Sequence, residues 1–187
     1  MFESWFSSDR NDAISILKRD HDTVKELFDQ FENAKQRAQK LKIVGKAIEE
    51  LKIHAAIEEE IFYPAVRPGL DREMMTEADE EHHVAKVLIG ELEKMTGKEE
   101  HYDAKFKVLA ENIRHHIEEE ESEMLSKARK LAIDFDALGE QMMARKEELR
   151  TAGVPVTAEE RAAKPKADSP AKASRRKRPP KTRTARS

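Results

Sequence analysis

The sequence is organised around a histidine that is followed four residues later by a glutamate, and this pair occurs twice. Residues 54–60 read His-Ala-Ala-Ile-Glu-Glu-Glu, and residues 116–122 read His-Ile-Glu-Glu-Glu-Glu-Ser. A second pair of segments is also repeated: residues 20–28 read Asp-His-Asp-Thr-Val-Lys-Glu-Leu-Phe, and residues 81–89 read Glu-His-His-Val-Ala-Lys-Val-Leu-Ile. The offsets are 62 and 61 residues, so the chain contains an internal duplication of two successive segments.

Apolar residues around these segments recur at helical spacing, which predicts four amphipathic helices. Their approximate extents are Asp12–Ala34, Leu41–Tyr63, Arg72–Met95 and Tyr102–Leu131. The connections between them are short, so neighbouring helices should run antiparallel. We therefore expect an all-α protein, an up-and-down four-helix bundle, with an additional C-terminal helix at Asp136–Leu149.

The overall composition favours helices and excludes several functional classes. The 187 residues are 39% charged and only 5% aromatic, with six glycines, which argues against a β-sandwich or a barrel. Because the chain has no cysteine, disulfides, thiolate metal sites and cysteine nucleophiles are excluded. No apolar run approaches the roughly 18 residues of a membrane-spanning helix, and residues 1–10 lack the pattern of a secretory signal. We expect a cytoplasmic protein with no membrane partner.

Charge is distributed unevenly along the chain. Residues 151–187 carry 11 Lys+Arg and 3 Asp+Glu, a net charge of +8 that leaves −11 for residues 1–150. This tail is rich in Pro and Ala and has no large apolar residues beyond Val156, so we expect it to be disordered. Residues 161–186 could bind nucleic acid non-specifically, fold over the acidic body or serve solubility alone. The predicted divisions are a lead at 1–11, the bundle at 12–131, an accessory helix at 132–150 and the tail at 151–187.

The predicted helices bring histidines and glutamates to the inside of the bundle. On a helix, positions i and i+4 face the same way, so each His-x-x-x-Glu pair points inward together with the histidine of the preceding helix. The duplication selects His82 over His83 and His116 over His115. A buried, unpaired carboxylate is costly, so a cation should lie beside these acids. The candidate metal ligands are His21, His54, Glu58, His82, His116 and Glu120.

The donor set restricts the metal. Imidazole and carboxylate without thiolate suit iron, manganese, zinc or copper better than calcium or magnesium. Two carboxylates could bridge a pair of ions, and six protein ligands leave coordination positions open for a small molecule such as O2. Tyr63, at the end of the second helix, could line the pocket, but packing is its expected role. The remaining glutamates near the motifs are expected to form a solvated face: Glu59, Glu60, Glu118, Glu119, Glu121 and Glu123.

The order and spacing of these motifs resemble the bacterial hemerythrin-like, HHE cation-binding domains. The resemblance rests on residues 20–22, 54–64, 81–83 and 116–120, and it covers about Asp12–Leu131. It implies a four-helix bundle around a non-haem di-iron centre, with two Fe per chain or another divalent metal in their place. It also implies a protein that binds or senses O2, or that responds to peroxide, nitric oxide or iron, rather than a dedicated enzyme.

The chain departs from invertebrate hemerythrins in the third helix, where those proteins carry His-x-x-x-His. Four residues after His82 stands Lys86, so one ion lacks a ligand that Asp79, Glu81 or His83 could replace. Two further functions therefore stay open. One is a di-iron enzyme that decomposes peroxide or acts as an oxidase, and the other is a helical module held on nucleic acid by the basic tail. The sequence leaves the oligomeric state open.

Overall fold

The computed structural model describes residues 11–153, and this part of the chain is helical, with no strand. The all-α bundle with an added C-terminal helix is therefore confirmed. Three of the helices are α1 (Ala13–Asn33), α3 (Arg72–Glu93) and α5 (Phe135–Ala152). The second, α2, begins with Arg37–Ile57 and continues with a π-helical segment, Glu58–Phe62, and an α-helical turn, Tyr63–Val66. The fourth, α4, begins with Tyr102–Glu119 and continues in the same way with a π-helical segment, Glu120–Met124, and an α-helical turn, Leu125–Ala128. The predicted disorder and nucleic-acid contact of the tail concern residues that lie outside the described range, apart from 151–153.

Local sequence explains where the helices begin and turn. Asp12 caps α1, because its carboxylate accepts hydrogen bonds from the Ser15 backbone nitrogen at 3.1 Å and the Ser15 hydroxyl at 2.8 Å. Asp134 caps α5 in the same way by accepting from the backbone of Ala137. Between α3 and α4 the chain reverses at Gly97, whose φ of 80° favours glycine. Short connections of this kind place α1 against α2 and α3 against α4.

Two apolar clusters fill the bundle, and the candidate metal ligands lie between them. Along α1 the order is Leu17 in one cluster, then His21, then Val24 in the other. Along α3 the order is Ala78, His82 and Ala85, with the same change of cluster at the histidine. The duplicated histidines therefore form one polar layer across the middle of the core.

The fifth helix, α5, packs against α1 and α2. Phe135, Leu138 and Met142 join the apolar cluster at the N-terminal end of α1. Gly139 passes the start of α1 so closely that a Cβ there would lie 2.1 Å from the Asn11 carbonyl oxygen. Glycine is therefore required at this crossing. None of the described helices is long and apolar enough to span a membrane.

The two π-helical segments occupy corresponding places in the duplication. One begins at Glu58 and the other at Glu120, which is 62 residues further on. A π-helical turn adds a residue to the helical repeat, and such turns are frequent at functional sites. In both halves the irregularity begins at the glutamate of the His-x-x-x-Glu motif.

Candidate metal centre

The six predicted ligands meet in the middle of the bundle, and all are buried. The Nε2 atoms of His21 and His54 lie 3.1 Å apart, and we call these residues the first histidine pair. The Nε2 atoms of His82 and His116 lie 3.3 Å apart and form the second histidine pair. Each pair comes from one half of the duplication, so the two pairs are related by the internal repeat.

Glu58 lies between the two histidine pairs. Its Oε1 is 3.2 Å from Nε2 of His54 in the first pair, and its Oε2 is 3.4 Å from Nε2 of His82 in the second pair. Glu120 lies on the other side, with Oε2 at 3.1 Å from Nε2 of His21. Within the described residues, both oxygens of Glu58 and Oε2 of Glu120 are buried without a hydrogen bond. Buried carboxylate oxygens in this state require a positive charge close by, either a metal ion or the protonated imidazoles beside them.

The ligand atoms of the centre form two sets that share one residue. One set of ligand atoms comes from His21, His54, Glu58 and Glu120, and within that set all atoms lie within 4.8 Å of one another. A second set that meets the same limit comes from Glu58, His82 and His116. Glu58 belongs to both sets, and each of its two oxygens faces a different histidine pair. Nitrogen and oxygen donors of this kind suit iron, manganese, zinc or copper.

Each of the four histidines also contacts a carboxylate through its outer nitrogen, Nδ1. The contacts are His21 with Glu121 at 2.9 Å, His54 with Asp20 at 3.5 Å, His82 with Glu59 at 2.9 Å and His116 with Glu81 at 2.7 Å. A proton held at Nδ1 by a carboxylate leaves the Nε2 lone pair directed at the centre and increases its donor strength. The ring of acids therefore orients the imidazoles for metal binding.

The four acids that contact the Nδ1 atoms, which we call the outer acids, correct one prediction from the sequence. They are Asp20, Glu59, Glu81 and Glu121. Glu59 and Glu121 were expected on a solvated face, but both contact histidines of the centre. The duplication contained the information needed, because Glu59 corresponds to Glu121 and Asp20 to Glu81 at the same two offsets. Acidic residues are thus retained at both repeated positions.

Cationic side chains stand behind the outer acids. Lys25 lies 3.6 Å from Glu121, and Lys86, its counterpart in the repeat, pairs with Glu59. Lys86 therefore lies outside the centre, at the position where invertebrate hemerythrins supply a histidine. The two remaining outer acids have different partners, because buried Lys146 of α5 pairs with Asp20 whereas exposed His115 lies 3.9 Å from Glu81.

The three suggested substitutes for the absent histidine lie outside the ligand set. Asp79 forms two hydrogen bonds with Arg67, at 2.7 and 3.1 Å, on the surface. His83 is exposed. Glu81 contacts the outer nitrogen of His116 rather than the centre. The second histidine pair therefore stands with fewer nitrogen donors than the invertebrate pattern provides.

Electrostatics bind protons to this centre when no metal is present. Burial would lower the pKa of the His54 imidazole, but the carboxylates of Glu58 and Asp20 raise that pKa to about 10. Burial opposes protonation of His82 in the same way, yet Glu58 and Glu59 raise its pKa to about 9. Although burial favours a neutral Glu58, the two imidazoles hold its pKa well below the usual value. A metal ion would displace these imidazole protons on binding.

Tyr63 enters the centre from the end of α2, although packing was the favoured interpretation of the sequence and a place in the pocket the alternative. Its hydroxyl lies 3.3 Å from Nε2 of His82 and donates to Oε1 of Glu120 at 3.5 Å. Burial, together with the carboxylates of Glu58 and Glu120, raises the pKa of the phenol well above 10, so the phenol stays neutral and can donate. The corresponding residue of the other half is Leu125, so among residues 11–153 the phenol of Tyr63 has no counterpart beside the first pair.

A small cavity of about 30 Å³ adjoins the centre on its other side. All four histidines of the two pairs line it. The rest of its wall is largely apolar and includes Val24, Leu51, Ala85, Ile113 and Ile117. The centre thus adjoins a space of about one small molecule, in surroundings that favour an uncharged one.

Comparison with known proteins agrees with this geometry. Residues 12–128 match the sequence profile of the hemerythrin HHE cation binding domain. A solved structure of a hemerythrin HHE cation binding domain-containing protein from Mycobacterium kansasii shares the fold, with a TM-score of 0.65 and 24% sequence identity over 75% of this chain and 88% of that one. Among curated proteins, none matches this chain. The matched region contains all six buried histidines and glutamates of the centre, and the chain belongs to the hemerythrin HHE cation-binding domain family.

Proposed function

We propose that this protein holds two non-haem iron ions between its histidine pairs and binds O2, or another uncharged diatomic such as nitric oxide, beside them. The observation that carries the proposal is the position of Glu58, whose two oxygens face different histidine pairs at 3.2 and 3.4 Å. One carboxylate shared by two pairs of imidazoles is the arrangement expected for two neighbouring ions. Membership of a cation-binding family supports the same conclusion.

The candidate ligands would not fill the coordination positions of two ions. His21 and His54 would hold one ion, His82 and His116 the other, and Glu58 and Glu120 would lie between them. These six residues would leave coordination positions open for a small molecule. Iron in this setting supplies reversible one-electron redox changes and an affinity for O2 at the open positions. The chain contributes four oriented imidazoles and a neutral phenol that donates a hydrogen bond at the second pair.

The adjoining cavity sets the size and polarity of the ligand. A volume of about 30 Å³ is sufficient for one water-sized or diatomic molecule. Its wall beyond the histidines is mostly aliphatic, and the ammonium of its one lysine, Lys86, is paired with Glu59, so a polar or charged guest would lose hydrogen bonds to water on entering. The cavity therefore favours O2 or nitric oxide over anions.

A second candidate function is the decomposition of peroxide or an oxidase reaction at the same centre. Tyr63 favours it, because a neutral phenol beside the second histidine pair can donate a proton or a hydrogen bond to an oxygen ligand. The position of Lys86 also favours it, since the second pair lacks a third imidazole and stays more open. The same experiment distinguishes the two functions.

The test exposes the reduced, iron-loaded full chain to O2 and follows the absorption spectrum. Binding predicts a change that reverses when O2 is removed under argon. Irreversible oxidation on O2 addition, together with rapid evolution of O2 from added peroxide, would instead establish the enzyme. No spectral response to O2, nitric oxide or peroxide would overturn both candidates.

A matched pair of variants tests whether the ligand occupies the cavity. Ala85 lines the cavity, whereas Ala110 is buried in the same apolar cluster but does not line it. We expect Ala85→Val to weaken or slow O2 binding and Ala110→Val to leave it unchanged, with iron content equal in both variants. Equal effects of the two substitutions would show that the cavity is not the ligand site.

A further inference from the structure

We propose that an acidic cleft between α3 and α4 is the path by which a divalent cation reaches the metal centre, and that α5 closes the corresponding path in the other half of the bundle. This inference rests on the proposed function, because it takes the six buried residues as metal ligands. It adds the route by which the cation reaches the centre and a surface, the acidic cleft, that would attract the cation.

The cleft has a volume of about 290 Å³. Seven of the side chains that line the cleft are carboxylates, and one lining residue, Lys127, is a lysine. That lysine is already paired, at 3.1 Å with Asp71 and at 3.3 Å with Glu123. The wall of the cleft therefore carries a strong negative charge that is not balanced within it.

The inner end of the cleft is the centre itself. His116 and Glu120 belong both to the lining of the cleft and to the buried ligand set. Glu120 is 2% exposed, and its Oε2 accepts no hydrogen bond within the described residues. The negatively charged cleft thus leads from solvent to a buried carboxylate oxygen that needs a cation.

The internal duplication shows that the cleft is a specific feature of one half. Exposed Glu77 and its buried neighbour Ala78 line the cleft on α3. At the offset of 61, their counterparts on α1 are Ile16 and Leu17, which are 1% and 0% exposed. Across the cleft, exposed Glu123 corresponds to Ile61 at the offset of 62. Exposed carboxylates at Glu77 and Glu123 in one half thus correspond to apolar residues in the other, with Ile16 buried and Ile61 partly buried.

The cover in the first half is α5. Leu138 and Met142 of α5 belong to the apolar cluster that contains Ile16 and Leu17. The close crossing at Gly139 leaves no gap between α5 and the start of α1. Since α5 packs on α1 and α2, the second half keeps its opening, and access to the centre is directed to the cleft between α3 and α4.

The charges at the mouth fit a cation in transit. Clefts lined by one sign of charge raise the arrival rate of ions of the opposite sign by about 10- to 1,000-fold, and salt weakens this effect. Ligand atoms of Glu81, His115 and Glu119 lie within 4.8 Å of one another beside the cleft, and His115 and Glu119 are exposed. These three residues would hold a cation briefly, before it passes to His116 and Glu120.

The test measures the rate of Fe²⁺ uptake by the metal-depleted full chain, without O2, by stopped-flow mixing. The cleft variant combines Glu73→Gln, Glu77→Gln and Glu123→Gln, which contact no ligand of the centre. We expect uptake about ten-fold slower at low salt, with a weaker dependence on ionic strength and the same final iron content. A control that combines Glu26→Gln, Glu111→Gln and Glu140→Gln removes equal charge from exposed positions elsewhere and should match wild type.

A second variant reproduces the closed half. Glu77→Ile with Ala78→Leu places the residues of α1 on the wall of the cleft, and we expect slower uptake at both low and high salt. Unchanged rates in both cleft variants, or an equal slowing in the control, would overturn the path. Wild-type protein that takes up no iron at all would contradict the proposed function itself, so the two failures are distinguishable.

Discussion

Replacing Lys146 by Met should destabilise the protein, although this residue lies outside the bundle and touches no candidate ligand. Lys146 is 4% exposed, and its ammonium pairs with Asp20, whose other oxygen lies 3.5 Å from Nδ1 of His54. Removing one partner of a buried ion pair costs about 3–5 kcal/mol, because the other charge stays buried. Asp20 is 14% exposed and keeps its contact with His54, so we expect a smaller loss, of about 2–3 kcal/mol.

Urea unfolding at a fixed iron concentration measures this effect, since bound metal itself shifts the apparent stability. In a chain of this size, the expected loss corresponds to a melting temperature lower by about 4–10 °C. The double variant Asp20→Asn with Lys146→Met should recover part of the stability, because it leaves no unpaired carboxylate while the amide oxygen of Asn can still accept from Nδ1 of His54. Lys127→Met is a matched control at an exposed pair and should cost less than about 1 kcal/mol.

The reasoning would be refuted if Lys146→Met were as stable as wild type. It would also be refuted if the double variant were no more stable than the single one. Either result would mean that Asp20 does not depend on α5 for its charge partner. In that case α5 would contribute only apolar packing to the region of the first histidine pair.

Three further changes have defined outcomes. Tyr63→Phe should retain the wild-type iron content but alter the rate at which O2 or peroxide reacts, because the hydroxyl contacts His82 and Glu120; loss of iron in a metal assay would count against that role. Asp12→Ala should cost about 1 kcal/mol near pH 7, because it removes the cap of α1. Burial would raise the pKa of Asp12, but Ser15 and Arg129 lower it, so its stabilisation is present above the unfolded pKa of about 3.9 and is lost as the pH falls through the folded value. Denaturant curves of Asp12→Ala and wild type should therefore converge in acid, and a constant difference would contradict the assignment. Deleting residues 155–187 should leave the iron content unchanged and abolish retention on a polyanion column; full retention would place the binding surface elsewhere.

The fold and the buried ligand set follow from periodicity and from the duplication. A stripe that repeats every 3.6 residues and carries one histidine per helix has to place those histidines inside a bundle. The offsets of 61 and 62 then separate His82 from His83 and His116 from His115, because only one of each pair has a counterpart. The structure brings the selected four together within a single polar layer.

The contacts around the ligands depend on how the helices pack against one another, and a single sequence does not contain that information. Glu59 lies next to the apolar stripe of α2 and reaches His82 only because α3 passes at that height. The π-helical segments that begin at Glu58 and Glu120 change the phase of the helix, so a 3.6-residue period misplaces the residues that follow, Tyr63 among them. The buried pair of Lys146 with Asp20 joins residues 126 positions apart and could not be predicted before α5 was placed.

Iron content per chain tests the central claim most directly. The full chain, purified in air, should contain about two irons, one for each ligand set, whereas Glu58→Ala and Glu120→Ala should each lose most of it. Glu118→Ala, a substitution of an exposed acid on the same helix as Glu120, should retain the wild-type content. Wild-type protein without bound transition metal, or undiminished iron in both Glu58→Ala and Glu120→Ala, would contradict the account.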